Sequence, residues 1–171
     1  MGPSPPQHRT AFELAFRPNV QLINVVRRFV TDFYDEVIGD PDAVSRLALA
    51  THELLENAVR YSTDGETRIR IGIEPAQDGA FLTIRMQNTA ETTHRATLGV
   101  LFEEMKAADD PMDHYCLVMR RNAKRQDGSG LGLARIRAEA EMTLDYEVEG
   151  ELVTIIARTV VPVVVTEGDD A

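Results

Sequence analysis

Glu53 and Asn57 stand four residues apart in the run THELLENAVRYS, Thr51 to Ser62. On a helix that spacing projects both side chains from one face. A carboxylate and a carboxamide one turn apart can divide two tasks. Glu53 can accept a proton, and Asn57 can offer a neutral oxygen to a hard cation such as Mg²⁺. A solvated helix face carries the same two residue types, so this pair alone leaves chemistry and solubility both open. A second stretch, DGSGLGLAR from Asp127 to Arg135, sets Gly128, Gly130 and Gly132 just ahead of a helical pattern, with Ser129 and Leu131 between them. Glycines let backbone N–H groups approach a phosphate closely, and a helix N-terminus adds partial positive charge. An ordinary flexible turn has the same composition.

The elements that must position these residues follow from periodicity. Phe12, Leu14 and Phe16 alternate with Glu13 and Ala15, which predicts a strand ended by Arg17-Pro18. Asn19 can cap the next helix, over 20–38, where Leu22, Val26, Phe29, Val30, Phe33 and Val37 recur at helical spacing. Gly39-Asp-Pro41 breaks it. The central helix then runs over 42–61, with Val44, Leu47, Ala48, Leu55, Ala58 and Val59 on its apolar side and the Glu53–Asn57 face turned away from it. Ile69, Ile71 and Ile73 alternate with Arg68, Arg70 and Gly72, and Ala80 to Met86 returns as a second strand after Gln77-Asp-Gly79. From Thr89 to Arg125 there is no clear strand; two short helices are expected, around Leu98–Met105 and Tyr115–Met119. Leu133, Ile136 and Ala140 mark the helix after the glycines. Leu144–Val148 and Leu152–Val160 form a hairpin turned at Glu149-Gly150. This order predicts an α/β (α+β) two-layer sandwich: a mixed, mostly antiparallel sheet with helices on one face.

Composition narrows the function classes. The 171 residues suffice for one domain with a sizeable core. A net charge of −10 argues against nucleic acid or an anionic membrane as the main partner. The single cysteine, Cys116, excludes an internal disulfide and fits a reducing cytoplasm. No apolar run has the length of a membrane helix, and no signal-peptide core follows Met1. Residues 1–9 open on a Pro-rich segment expected to be disordered, and 166–171 form an acidic tail.

E-x-x-x-N-A at Glu53–Ala58, followed about seventy residues later by G-x-G-L-G-L at Gly128–Leu133, is far more specific than either stretch alone. Together they resemble the GHKL (Bergerat-fold) ATP-binding superfamily of histidine kinases, Hsp90-type chaperones, MutL-type proteins and gyrase-type ATPases. The short layout looks most like the anti-sigma-factor serine kinases of bacterial partner switching. The resemblance implies one nucleotide-binding domain over 10–165, with a lid over 90–127. It implies ATP and Mg²⁺ as cofactors. It gives Glu53 the polarisation of the attacking group, Asn57 the Mg²⁺, and Asp127, Gly128, Ser129, Gly130, Leu131 and Gly132 the phosphates. The family's middle box, D-x-G-x-G after a strand, is replaced here by Met86-Gln-Asn-Thr-Ala90. Asn88 offers both an acceptor and a donor to an adenine edge, or is a plain turn residue after the strand.

Other residues have a plain reading beside a functional one. Arg120, Arg121, Lys124 and Arg125 could reach phosphates from a closed lid, or form a solvated helix end. His52 could support Glu53, or make a local hydrogen bond. His114 and Cys116 have no metal-ligand spacing with another Cys or close His. Two functions from different classes are expected. One is an Mg-ATP-dependent serine-protein kinase that phosphorylates a small anti-anti-sigma-type (STAS-like) protein and sequesters a partner such as a sigma factor, with a homodimer as one compatible assembly. The other is a protein-binding module on the same fold that does not use nucleotide.

Overall fold

The computed structural model describes residues 9–17, 19–63, 65–77, 79–124 and 130–162. The elements run β1 (Thr10–Phe16), α1 (Val20–Ile38), α2 (Pro41–Tyr61), β2 (Thr67–Ala76), β3 (Gly79–Thr89), α3 (Thr92–Ala107), α4 (Pro111–Ala123), α5 (Leu131–Glu139), β4 (Thr143–Glu149) and β5 (Leu152–Val161). The five strands form one sheet in the order β1-β2-β3-β5-β4. Every pairing is antiparallel, so the mostly antiparallel expectation holds for all of them. The segment between β3 and β5 delivers three helices and the edge strand β4 before the chain returns beside β3.

The strand pattern explains the layering. Ile69, Ile71 and Ile73 of β2, and Leu82, Ile84 and Met86 of β3, are all but fully buried and belong to one core with α1, α2, α3 and α5. Their alternates, Arg68, Arg70, Thr83 and Arg85, lie on the opposite face and are exposed or half-buried. A period of two therefore separates a helix-covered face from an open, polar one.

Helix boundaries follow local chemistry. Asn19 Oδ1 accepts from Leu22 N at 2.9 Å and starts α1. Gly39, with φ of 70°, takes the left-handed conformation that ends it. Asp40 then accepts from Ala43 N at 2.9 Å, with Pro41 in the first turn of α2. The buried side of α1 is Ile23, Val26, Val30, Tyr34 and Ile38. That corrects the expected stripe: Leu22 and Phe29 are exposed, and Phe29 instead packs edge-on against Phe12 at 5.2 Å. Tyr34 wins the interior position because its hydroxyl has a buried partner, Thr51 Oγ1, at 2.9 Å. On α2, Ala43, Ala50, Thr51 and Leu54 join Val44, Leu47, Leu55 and Ala58 in the core, while Ala48 and Val59 are half-buried. The two short helices expected between the strands are longer, 16 and 13 residues. Few apolar side chains on either are buried, so hydrophobic spacing understated their length.

Candidate functional site

Glu53 and Asn57 are half-buried on α2, on the side that meets α5. Neither projects into open solvent. Asn57, Asn88 and Gly130 line one cavity, together with Leu98 and Leu101 of α3 and Val153 of β5. Asn88 belongs to β3, which runs on to Thr89, so the turn reading is corrected. As an even-numbered β3 residue it points to the helical layer, where it is 7% exposed. Its Nδ2 donates to Thr89 O at 3.0 Å.

Gly130 and Gly132 open α5. Gly130 has φ of 81°, a conformation that side chains rarely adopt, and a Cβ there would lie 2.6 Å from Leu101 Cδ2. A Cβ on Gly132 would lie 2.6 Å from Glu53 Oε2. The two glycines thus let α3 and α2 close onto the N-terminus of α5. Leu131 is the first residue of that helix. Asp127, Gly128 and Ser129, with Arg125, lie outside the described residues, as do 1–8 and the expected acidic tail.

Glu53 is not a free carboxylate. Its Oε1 accepts from Arg135 Nη1 at 3.0 Å, and its side chain is 17% exposed. Arg135 also donates through Nε to Glu139 at 2.8 Å. Those bonds, to Glu139 first and then to Glu53, hold the guanidinium firmly protonated against a partial burial that opposes it. The sequence signal for this partner was slight: an arginine one turn after Gly132, on the face of α5 that meets α2.

A second feature escaped sequence reasoning. Tyr61, at the end of α2, stacks on His94 of α3 with ring centroids 3.7 Å apart and planes 11° from parallel. Burial lowers the His94 pKa. The stack forms a wall shared by the Asn57–Asn88 cavity and a larger, open cavity of about 560 Å³ that also touches Arg60, Glu91 and Arg121. The inner cavity measures about 20 Å³, room for roughly one water molecule. Leu101 and the stack hold it shut.

Other candidates resolve simply. Arg121 makes a two-pronged bond to Glu104, at 2.9 and 3.2 Å, while Arg120 and Lys124 are exposed. His52 Nδ1 is buried without a hydrogen-bond partner among the described residues, which corrects the local-bond reading for that atom. Among the described residues no cluster of three His, Cys, Asp or Glu side chains could hold a metal ion, and no helix is long and apolar enough to cross a membrane.

Among solved structures, a chain of the SiaB–SiaC complex from Pseudomonas aeruginosa is similar with a TM-score of 0.58 and 12% sequence identity, over 88% of this chain and 89% of that one. At that identity the likeness is one of fold. No curated protein matches the sequence. The family model for histidine kinase-, DNA gyrase B- and HSP90-like ATPases matches residues 42–160, from the start of α2 to the end of the sheet. That span is more than half of the chain and holds Glu53, Asn57, Asn88 and the glycine run, so this protein belongs to the histidine kinase-, DNA gyrase B- and HSP90-like ATPase family.

Proposed function

We propose that this protein is an Mg-ATP-dependent serine-protein kinase of the anti-sigma type, which phosphorylates a small antagonist protein and sequesters a partner. The observation that carries the reading is the convergence of Asn57, Asn88 and Gly130 on one cavity, with Glu53 a turn before Asn57 and in contact range of Gly132. The donor set suits the cofactor: a neutral carboxamide oxygen for a hard cation, helix-start N–H groups for phosphate, and a second carboxamide for a base edge. The space does not suit it until α3 withdraws Leu101 from Gly130, because a cavity of about 20 Å³ is far below the several hundred that a ligand of that size fills.

Bound Mg-ATP supplies the transferable phosphoryl group. The chain's own work is positioning. Asn57 holds the cation, and the start of α5, with Asp127, Gly128 and Ser129, holds the phosphates. Asn88 pairs with the adenine edge more weakly than a carboxylate would. Glu53 orients the acceptor hydroxyl and takes its proton, with Arg135 fixing its rotamer. A STAS-like protein is the expected acceptor; the likeness to a chain from a two-protein complex supports a protein partner.

A second reading, a binding module that does not use nucleotide, is favoured by the same closed cavity and by the neutralisation of Glu53 by Arg135. Thermal melting separates the two. A ligand that binds only the folded state raises the melting temperature. With millimolar Mg-ATP, wild type shifts upward, Asn57→Ala abolishes the shift, and Asn88→Ala reduces it. Glu53→Ala keeps the shift and loses phosphoryl transfer. A wild-type protein with no shift leaves only the binding module.

A further inference from the structure

The open face of the sheet carries a charge opposite to that of the chain. The sequence holds 28 acids and 18 bases. Yet a hollow of about 250 Å³ on this face is lined by Arg9, Arg70, Arg85 and Arg158 against one acid, Glu74. Strand register gathers them. Arg70 stands opposite Arg85 across β2 and β3, and Arg158 stands opposite Thr83 across β3 and β5. Gly72, also opposite Thr83, lies between them. A Cβ there would meet nothing within 4 Å, so the middle of the hollow is open space.

The arginines are incompletely neutralised. Arg9 pairs with Glu74 at 3.1 Å, and Arg85 with Glu147 at 2.8 Å. Arg70 has a long contact with Glu13, at 3.7 Å, and Glu13 also meets Arg68 at 3.5 Å. Arg158 is half-buried and in no ion pair with a described residue. Like charges directly opposite each other on a sheet repel, so Arg70 beside Arg85, with Arg158 free, calls for an anion in the hollow.

The neighbouring surface narrows the choice of anion. Phe81 and Val160, opposed in register on the same face, are 38% and 56% exposed. They stand where the chain leaves the sheet, at Val161 and Pro162. The sequence that follows, outside the described residues, is VVVTEGDDA: three valines, then Glu167, Asp169 and Asp170. A chain that turns back over the open face meets Phe81 and Val160 first, then Arg158, then Arg85 and Arg70. Arg85 is level with Ile156, six residues before Pro162, or about 20 Å along the strand. Glu167 to Asp170 lie five to eight residues beyond Pro162, a reach of about 16–26 Å. Apolar and acidic residues thus follow one another in the same order as the apolar and basic parts of the face.

We propose that residues 163–171 fold back over the open face of the sheet, with the valines on Phe81 and Val160 and the carboxylates of Glu167, Asp169 and Asp170 in the arginine hollow. Tethering favours this occupant. A short flexible connection holds the segment at an effective concentration on the order of millimolar, whereas an acidic segment of another protein approaches against a net charge of −10. The contact does not depend on nucleotide use.

The test uses the full-length ¹⁵N-labelled protein with Cys116→Ser and Ala171→Cys and a nitroxide attached at position 171. The nitroxide should broaden the amide signals of Gly72, Thr83 and Arg158, and about 1 M NaCl should largely remove the effect. Glu167→Gln with Asp169→Asn and Asp170→Asn should cut the broadening at least fivefold. These three positions lie beyond the last strand, so the variant keeps the contacts of the fold. A segment that merely wanders near the sheet would broaden the same signals equally in that variant. Arg158→Gln should cut the broadening several-fold from the other side of the contact. Spin-labelled ¹⁴N protein mixed with unlabelled ¹⁵N protein should give no broadening, since the contact lies within one molecule. Broadening in the mixture as strong as within one molecule would assign the segment to a second copy. That result, no broadening at all, or equal broadening with the neutralised segment would each overturn the proposal.

Discussion

Arg135 Nη1 donates to Glu53 Oε1 at 3.0 Å, joining residues 82 positions apart across the α2–α5 contact. The pair ties the carboxylate expected to handle a proton to the helix expected to handle phosphate. Replacing the arginine leaves a carboxylate that is only 17% exposed without its partner. Arg135→Gln should therefore lower stability by about 1 kcal/mol, seen as a lower urea midpoint at unchanged slope. A double variant with Glu53→Gln should recover most of the loss, since both ends are then neutral. Equal losses in single and double variants would show that the bond contributes nothing.

Gly132→Ala tests geometry apart from stability. The new Cβ would meet Glu53 Oε2 at 2.6 Å, so the carboxylate must shift against its bond to Arg135. Against that, alanine favours the helix by about 1 kcal/mol over glycine. The melting temperature should stay within a few degrees of wild type while phosphoryl transfer falls at least tenfold. Retained transfer would mean that the carboxylate position does not matter.

Leu101→Ala addresses closure. Leu101 covers Gly130, and its truncation should cost about 1–2 kcal/mol in packing. The ligand-free protein should melt lower, yet millimolar Mg-ATP should raise its melting temperature by more than it raises that of wild type. A binding-competent state that is rarely populated weakens apparent affinity, and loosening α3 over Gly130 removes that penalty. A smaller shift than wild type would make Leu101 a ligand contact and not a barrier.

Acid should lower the stability of the fold. Burial lowers the pKa of His94 and of His114 from the ordinary 6.5. The unfolded chain then binds protons at a pH where the folded protein does not, so stability is full above 6.5 and is lost as pH falls through the lowered folded values. The urea midpoint should drop between about pH 7.5 and about pH 5.5. His94→Phe keeps a ring against Tyr61 and removes one titration, so its midpoint should drop less over that range. An equal drop in the variant would place the acid sensitivity elsewhere.

What the sequence determined by itself was local. The Asn19 cap, the Gly39-Asp-Pro41 break and the alternation of Ile69, Ile71 and Ile73 are written within a few residues, because dihedral preferences and side-chain period act at that range. The spacing of Glu53 and Asn57 and of the glycines was legible for the same reason. Choices between near-equal local options were not. On α1, Val26 and Val30 of the expected stripe are buried, but Ile23, Tyr34 and Ile38 complete the inward face, with the Tyr34 hydroxyl bonded to Thr51. Only the tertiary structure set Asn88 within a strand facing the helices, put Leu101 over Gly130, stacked His94 on Tyr61 and gave Glu53 its arginine. Each of these joins side chains from different elements. Such contacts follow from how whole faces pack once the sheet is formed, and no periodicity along the chain encodes them.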